Sequence, residues 1–94
     1  GLEWNDIGAW DSLYDVLKSD ENGNIRNGGT GIAIDSHGVL TGSDQPDKLI
    51  VTIGLDDVIV IESGNAILVC PRSEAQRVRE AVDQLKASGR TEYL

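Results

Sequence analysis

One carboxylate near the start of the chain, Asp6, lies between two tryptophans and two residues before a glycine. The segment reads Trp4-Asn5-Asp6-Ile7-Gly8-Ala9-Trp10. An Asp just before a helix usually caps it or meets its dipole, which stabilises the helix by roughly 0.5–2 kcal/mol. Gly8 allows the backbone to turn tightly, so Asp6 can either cap a helix or point into a site.

The residues after this segment are predicted to form a helix. Apolar side chains at Trp10, Leu13, Tyr14 and Leu17 follow the spacing of one helical face. Two tryptophans six residues apart usually belong to a core. Spacing alone therefore favours a structural role for this segment. The predicted helix ends near residue 20, which marks the end of the first part of the chain.

Three other stretches have the letters of functional motifs. Gly28 to Gly31 could cradle an anion with its amides, but no Lys-Ser/Thr follows, so a turn is predicted. Asp35-Ser36-His37 contains the three residue types of a catalytic triad, but adjacent residues in a turn cannot align as one. His37 is also the only histidine of the sequence, which excludes a His-rich metal site. Cys70 ends an apolar run without a base beside it, which indicates packing rather than nucleophilic chemistry.

Composition limits the class of protein and its partners. The 94 residues fit one small domain, and a net charge of −8 with scattered basic residues argues against nucleic-acid and anionic-membrane surfaces. A single cysteine allows no internal disulfide and fits a reducing compartment. No apolar run approaches the roughly 18 residues of a membrane span. We therefore expect a cytoplasmic protein, and the missing initiator Met suggests a piece of a longer one.

The middle of the chain is predicted to be β-rich, and a helix is predicted to follow it. β-Branched runs separated by turn residues indicate strands at 32–35, 39–41, 49–53, 58–62 and 66–70. The last runs are almost continuously apolar, which predicts cover on both faces. A capping box of Ser73 and Gln76 predicts the helix start, and Gly89 its end. The fold class is thus α+β, with a small β-sandwich or open mixed sheet as one architecture.

Several segments together resemble bacterial mannose-1-phosphate guanylyltransferases, the GDP-mannose pyrophosphorylases. The W-x-D-I-G-x-W element with the following Asp-Ser-Leu-Tyr resembles the end of their catalytic domain, and its second Trp favours the mannose branch. The similarity continues in chain order over most of the sequence, through Asn22-Gly23-Asn24, Ile53 to Val60, Ala66 to Val69, the closing helix and Glu92-Tyr93-Leu94.

The resemblance implies a fold and a set of functional residues. The β segment would be a short left-handed β-helix-like domain that carries the amphipathic C-terminal helix, although no hexapeptide repeat is visible. Asp6 would be a catalytic and metal-binding residue that helps hold Mg²⁺ between the phosphates of GTP and mannose 1-phosphate, while Trp4 and Trp10 brace the loop. The domain limits would be 1–20 for the catalytic tail, 21–31 for linker and turns, and 32–94 for the β-helix-like domain.

The chain also departs from the family, because the partner Asp, the nucleotide loop and the sugar-binding segments lie upstream there. We therefore expect a C-terminal fragment that is inactive alone. Ser63-Gly64-Asn65 stands where the family usually has an acidic residue before the Ala-x-Leu-Val stretch, so nothing is carried over from that loop. Two alternatives stay open: a structural or oligomerisation module that forms homo-oligomers through strand edges and the last helix, and a transferase for another sugar 1-phosphate.

Overall fold

The computed structural model describes residues 4, 6–8 and 19–94, and these are mostly β-strand with one α-helix. The strands are β1 Ile25–Asn27, β2 Thr30–Ile34, β3 Leu40–Ser43, β4 Leu49–Ile53, β5 Val58–Ser63 and β6 Ala66–Pro71. A 3₁₀ segment, Arg72–Arg77, leads into the helix α1, Val78–Ala87, and a 3₁₀ turn, Thr91–Tyr93, follows. The β-rich α+β class is confirmed, whereas the helix predicted from Trp10 to Leu17 lies outside the described residues.

The first five strands wind into a coil with three faces. On one face β1, β3 and β5 pair in parallel, and on a second β2 and β4 pair in parallel. A parallel bridge between His37 and Asp56 marks the third. Because the chain passes each face in turn and stacks on its previous passage, the architecture is a β-helix-like coil rather than a sandwich or an open mixed sheet.

The repeat of this coil is not visible in the sequence, because one corner differs in length between the first and the second turn. Leu40 pairs with Ile25, fifteen residues earlier, whereas partners in β2 and β4, in β3 and β5, and at the third face are nineteen residues apart. The first turn rounds the corner after β1 with two residues, and the second turn uses residues 44–48. The segment predicted as linker and turns, 21–31, holds β1 and the start of β2, so the coil begins earlier than the predicted strands.

The short corner depends on Gly28, which has a φ of +86°. A Cβ placed on this residue would lie 2.2 Å from the carbonyl oxygen of Ser43 in the turn above. That distance is far below any real carbon–oxygen contact, so the close approach requires glycine. The predicted turn is confirmed at Gly28 and Gly29, while Thr30 and Gly31 already belong to β2.

β6 ends the coil by reversing direction. It pairs antiparallel with β5, from Val58 opposite Pro71 to Ser63 opposite Ala66. Its residues alternate between half-buried and exposed, and Ile67 and Val69 are 70% and 62% exposed. The prediction that both faces of the last strands are covered is therefore wrong for β6, because a hairpin at the end of the coil has only one face against the core.

The main core lies between the face formed by β1, β3 and β5 and the C-terminal segment. Ile25, Leu40 and Ile59 stack in register across the three strands and are almost fully buried. The rest of this buried cluster comes from the N-terminal turn, β5 and the segment after β6: Ile7, Ile61, Ala75 and Val78, with Trp4, Leu68 and Cys70 packed against it. Burial of this size is the largest favourable contribution to folding.

The second face has an inverted polarity. Ile50 and Thr52 of β4, with Gly31, line a partly open cavity of about 190 Å³ together with Arg26 from β1. The other large aliphatic residues of β2 and β4 are about half exposed: Ile32, Ile34, Leu49, Val51 and Ile53. In strand register these residues form one apolar stripe, which we call the β2–β4 stripe.

The C-terminal helix is confirmed, but its start differs from the prediction. Residues 72–77 wind as a 3₁₀ segment tied to the coil by the hydrogen bond from the Arg72 amide to the Asp57 carbonyl, and α1 begins only at Val78. Neither start has a side-chain cap, so the predicted capping box of Ser73 and Gln76 does not form.

The end of the helix follows the prediction. Gly89 has a φ of +74° and donates to Lys86, while Arg90 donates to Leu85, which is the hydrogen-bond pattern of a Schellman motif. Ala75, Val78 and Val82 form the buried face, and Leu85 beside them is half-buried. None of the helices within residues 4, 6–8 and 19–94 has the length and apolar content that crossing a bilayer requires.

Candidate functional site

Asp6 opens a short helical turn whose neighbouring side chains point in opposite directions. The Asp6 side chain is exposed, whereas Ile7 is only 2% exposed and belongs to the same buried cluster as Ala75 and Val78. Gly8 packs closely against the C-terminal segment, since a Cβ placed on it would lie 3.6 Å from Cα of Gln76. The turn thus has a buried anchor and presents its carboxylate to solvent.

Trp4 holds the other end of this turn. Its ring is half-buried against the main core, and its indole N–H donates a hydrogen bond to the backbone carbonyl of Tyr93. The donor and acceptor are 89 residues apart in sequence, so this bond joins the two ends of the described chain. The expectation that Trp4 braces the loop agrees with these contacts, and Trp10 lies outside the described residues.

Asp6 has no hydrogen bond or ion pair with another residue that the structure describes. Within residues 4, 6–8 and 19–94, no three His, Cys, Asp or Glu side chains are grouped closely enough to hold a metal ion. Chemically, an exposed carboxylate on an anchored turn can offer oxygen atoms to a cation or accept hydrogen bonds. It cannot form a complete metal site with the other described residues.

Asp35, Ser36 and His37 do not form a triad. The Ser36 hydroxyl is buried and donates to the carbonyl of Ile34 at 3.1 Å, so it is used by the backbone. His37 Nδ1 lies 3.1 Å from Oδ1 of Asp56, in the next turn of the coil. The Ser36 hydroxyl also accepts a hydrogen bond from the Leu55 amide at 3.4 Å, so both residues connect successive turns of the coil. The predicted turn is confirmed as bends at Asp35 and Gly38, on either side of the bridge at His37.

Cys70 has the environment of a packing residue. It is half-buried beside the main core, and desolvation by burial raises the pKa of its thiol, with the negative charge of Glu74 adding to the effect. A thiol with a raised pKa holds its proton at neutral pH and is a weak nucleophile. The prediction that Cys70 packs against the core is confirmed.

A buried polar group that the sequence does not reveal lies at the long corner of the coil, residues 44–48. Glu62 is 8% exposed, and its carboxylate accepts hydrogen bonds from the Ser43 hydroxyl at 2.5 Å and from Gln45 Nε2 at 3.0 Å. The backbone N–H of Gln45 donates in turn to the Ser43 hydroxyl at 3.0 Å. The nineteen-residue separation of Ser43 and Glu62 was the available signal, because it equals the repeat of the coil.

Two further side-chain clusters secure the loops of the coil. Asp44 accepts hydrogen bonds from the Ser63 hydroxyl and the Gly64 amide, both at 3.2 Å, and so holds the Ser63-Gly64-Asn65 loop. At the other end, Asp20 accepts from the amides of Asn22 and Asn24 at 2.9 Å. The hydrogen bond from the Asn24 amide is the largest cause that lowers the pKa of Asp20, although desolvation opposes it.

Comparison with known proteins gives consistent results. The MannoseP isomerase/GMP-like beta-helix domain family matches residues 29–85. The chain is 38% identical over 95% of its length to the alginate biosynthesis protein AlgA of Pseudomonas aeruginosa, and 34% identical over 97% to a mannose-1-phosphate guanylyltransferase of Klebsiella pneumoniae. It spans 18% and 19% of the lengths of these relatives.

A solved structure shares the fold. The crystal structure described as a mannose-1-phosphate geranyltransferase from Thermus thermophilus superposes with a TM-score of 0.72 at 31% identity, over 82% of this chain and 23% of that one. The family match includes both parallel faces of the coil from β2 onward, β6 and most of α1. The resemblance drawn from the sequence is confirmed, and the chain belongs to the MannoseP isomerase/GMP-like beta-helix domain family.

Proposed function

We propose that this chain is the C-terminal part of an enzyme that transfers GMP from GTP to mannose 1-phosphate, giving GDP-mannose and pyrophosphate. The main support is the family match, together with a relative that is named for this activity and resembles the chain over 97% of its length. A cytoplasmic location is proposed with the activity, because that compartment supplies GTP and keeps a lone cysteine such as Cys70 reduced.

In this proposal Asp6 supplies one protein ligand of a Mg²⁺ site. The described geometry fits that role, because the carboxylate is exposed and free of described partners, while Ile7 fixes its backbone in the core. Mg²⁺ prefers carboxylate oxygens and keeps several waters, so few protein ligands are needed. When bound, the metal neutralises charge on the crowded phosphates and orients them for an in-line displacement.

The 94 residues are proposed to be inactive by themselves. Asp6 is one ligand, and no other described acidic residue joins it. The second carboxylate and the residues that choose the base and the sugar would come from the rest of the enzyme, since the chain spans about a fifth of its relatives. A sister enzyme for another sugar 1-phosphate is therefore the alternative within the same reaction class.

The test is Mg²⁺-dependent pyrophosphate release by the complete enzyme, with the chain extended upstream to its natural start. We expect Asp6→Asn to abolish turnover with GTP and mannose 1-phosphate. Asp47→Asn is the matched control, because Asp47 is an exposed carboxylate on the long corner and makes the same chemical change away from the site. Normal turnover by the Asp6 variant would contradict the metal role, and activity only with a different sugar phosphate would favour the sister enzyme.

The β2–β4 stripe favours a second role, the assembly of a homo-oligomer. Its large aliphatic side chains on two paired strands face outward and are about half exposed. Soluble proteins rarely leave a contiguous apolar patch uncovered. The stripe is flat and lies on parallel strands, so the same face of a second copy can pack against it in a two-fold arrangement.

The mass of the complete enzyme in solution tests this second role. We expect Val51→Lys, at the centre of the stripe, to shift the enzyme from oligomer to monomer by light scattering, because a lysine buried between apolar faces is costly. Ile67→Lys on the outer face of β6 is the matched control and should leave the mass unchanged. An unchanged mass for Val51→Lys together with a lower melting temperature would instead place the upstream domain of the same chain on the stripe.

A further inference from the structure

We propose that the C-terminal turn, Thr91–Tyr93, positions the Asp6 carboxylate for metal binding, and that Trp4 is the positioning residue that connects them. This inference rests on the proposed function, since it assigns a role in the Mg²⁺ site. Its physical basis is the hydrogen bond from the Trp4 indole to the Tyr93 carbonyl. Trp4 lies two residues before Asp6, so a change in its position moves the carboxylate directly.

The Asp6 turn contacts both the strands of the coil and the segment after β6. Trp4 binds the Tyr93 carbonyl, Ile7 joins the buried cluster that contains Ala75 and Val78, and Gly8 approaches Gln76. The buried Ile7 side chain and the close approach of Gly8 to Gln76 fix the end of the turn that follows Asp6. The indole hydrogen bond adds a second point, and two points on a short turn define the direction of the side chain between them.

The Tyr93 carbonyl is itself held in place by hydrogen bonds that start in α1. Arg90 donates to Leu85 at 2.9 Å through the Schellman motif at the end of the helix. Beyond it, Leu94 donates to Thr91 at 3.1 Å and closes the C-terminal 3₁₀ turn. Because the helix packs on the main core through Val78 and Val82, the acceptor for Trp4 has a fixed position relative to that core.

A contact of this kind acts through orientation rather than through the metal itself. Groups that hold a metal ligand in place typically change metal affinity or activity by about 10–100-fold when they are removed. The carboxylate of Asp6 is exposed and has no described side-chain partner that could orient it in place of the indole bond. The loss of that bond is therefore expected at the low end of this range, since Ile7 remains buried.

The test uses Trp4→Phe in the complete enzyme, which keeps an aromatic ring on the core and removes the N–H donor together with part of the indole. Mn²⁺ binding to the resting enzyme is measured by electron paramagnetic resonance, beside the Mg²⁺ dependence of pyrophosphate release and the melting temperature without metal. We expect the Mn²⁺ dissociation constant and the half-saturating Mg²⁺ concentration to rise about tenfold. The melting temperature should fall only modestly, because the phenyl ring still covers part of the core.

Two further variants keep the inference separate from its premise. Tyr93→Ala preserves the backbone carbonyl and should bind Mn²⁺ like the unaltered enzyme, whereas deletion of residues 91–94 removes the acceptor and should match Trp4→Phe. Unchanged Mn²⁺ affinity in Trp4→Phe and in the deletion, with Asp6→Asn inactive, would overturn the positioning role and leave the proposed function standing. Full activity and metal affinity in Asp6→Asn would overturn both.

Discussion

Gly28→Ala is the substitution for which the coil predicts the most specific cost. The new Cβ would lie 2.2 Å from the Ser43 carbonyl oxygen, and the residue has a φ of +86°. A left-handed backbone costs a non-glycine residue about 1–2 kcal/mol. The overlap adds about 1–3 kcal/mol, because one corner of the coil must move by roughly 1 Å against the next. We therefore expect the free energy of unfolding to fall by about 2–5 kcal/mol.

Gly54→Ala separates these two contributions. Gly54 has a φ of +66°, close to the conformation of Gly28, but no atom lies within 4 Å of the place where its Cβ would be. It should therefore lose only the backbone contribution of about 1–2 kcal/mol. Urea unfolding of the chain, followed by circular dichroism, gives both values. Equal losses for the two variants would refute the close approach of the two corners.

Two other predictions concern the carboxylates of the coil. Glu62→Leu leaves the Ser43 hydroxyl and the Gln45 side-chain amide without their acceptor, so we expect the free energy of unfolding in urea to fall by about 1–3 kcal/mol. Adding Ser43→Ala to this variant should cost less than Ser43→Ala costs alone, and full additivity would contradict a shared network. Asp20 has a lowered pKa in the folded state, so its contribution to stability is present above the ordinary carboxyl pKa and is lost as pH falls through the lowered value. In Asp20→Asn the melting temperature should therefore fall less as the pH is lowered into the acid range. An unchanged dependence of the melting temperature on pH would show that the hydrogen bond from the Asn24 amide does not contribute.

The strands that the sequence predicts well are those whose side chains carry the signal by themselves. Leu49–Ile53 is an aliphatic run between turn residues, and its limits agree with the structure. Ile25–Asn27 escapes prediction because three residues in a polar, glycine-rich stretch become a strand only by pairing with β3. The apolar run in β6 wrongly predicts burial on both faces, since hydrophobicity does not reveal that a strand ends a sheet.

The candidate site can be predicted only in part from the sequence, for a similar reason. Asp6 can be singled out because its motif is local and resembles a known one. The contact between Trp4 and Tyr93 cannot, since the acceptor is a backbone carbonyl, which any residue offers, and 89 residues separate the partners. The same limit applies to the capping box: Ser73 and Gln76 have the residue types and spacing of the motif, but the segment is 3₁₀ and is held to the coil by the backbone hydrogen bond from Arg72 to Asp57.

The reversal at β6 gives this domain a fixed length. A stack of parallel turns can gain or lose units by duplication, since every unit meets its neighbour in the same way. An antiparallel strand does not offer the next turn a parallel partner on this face, and the helix that follows it closes the core. Variation in related sequences is therefore expected at the corners, where residues 44–48 already replace a two-residue bend, and not in the number of turns.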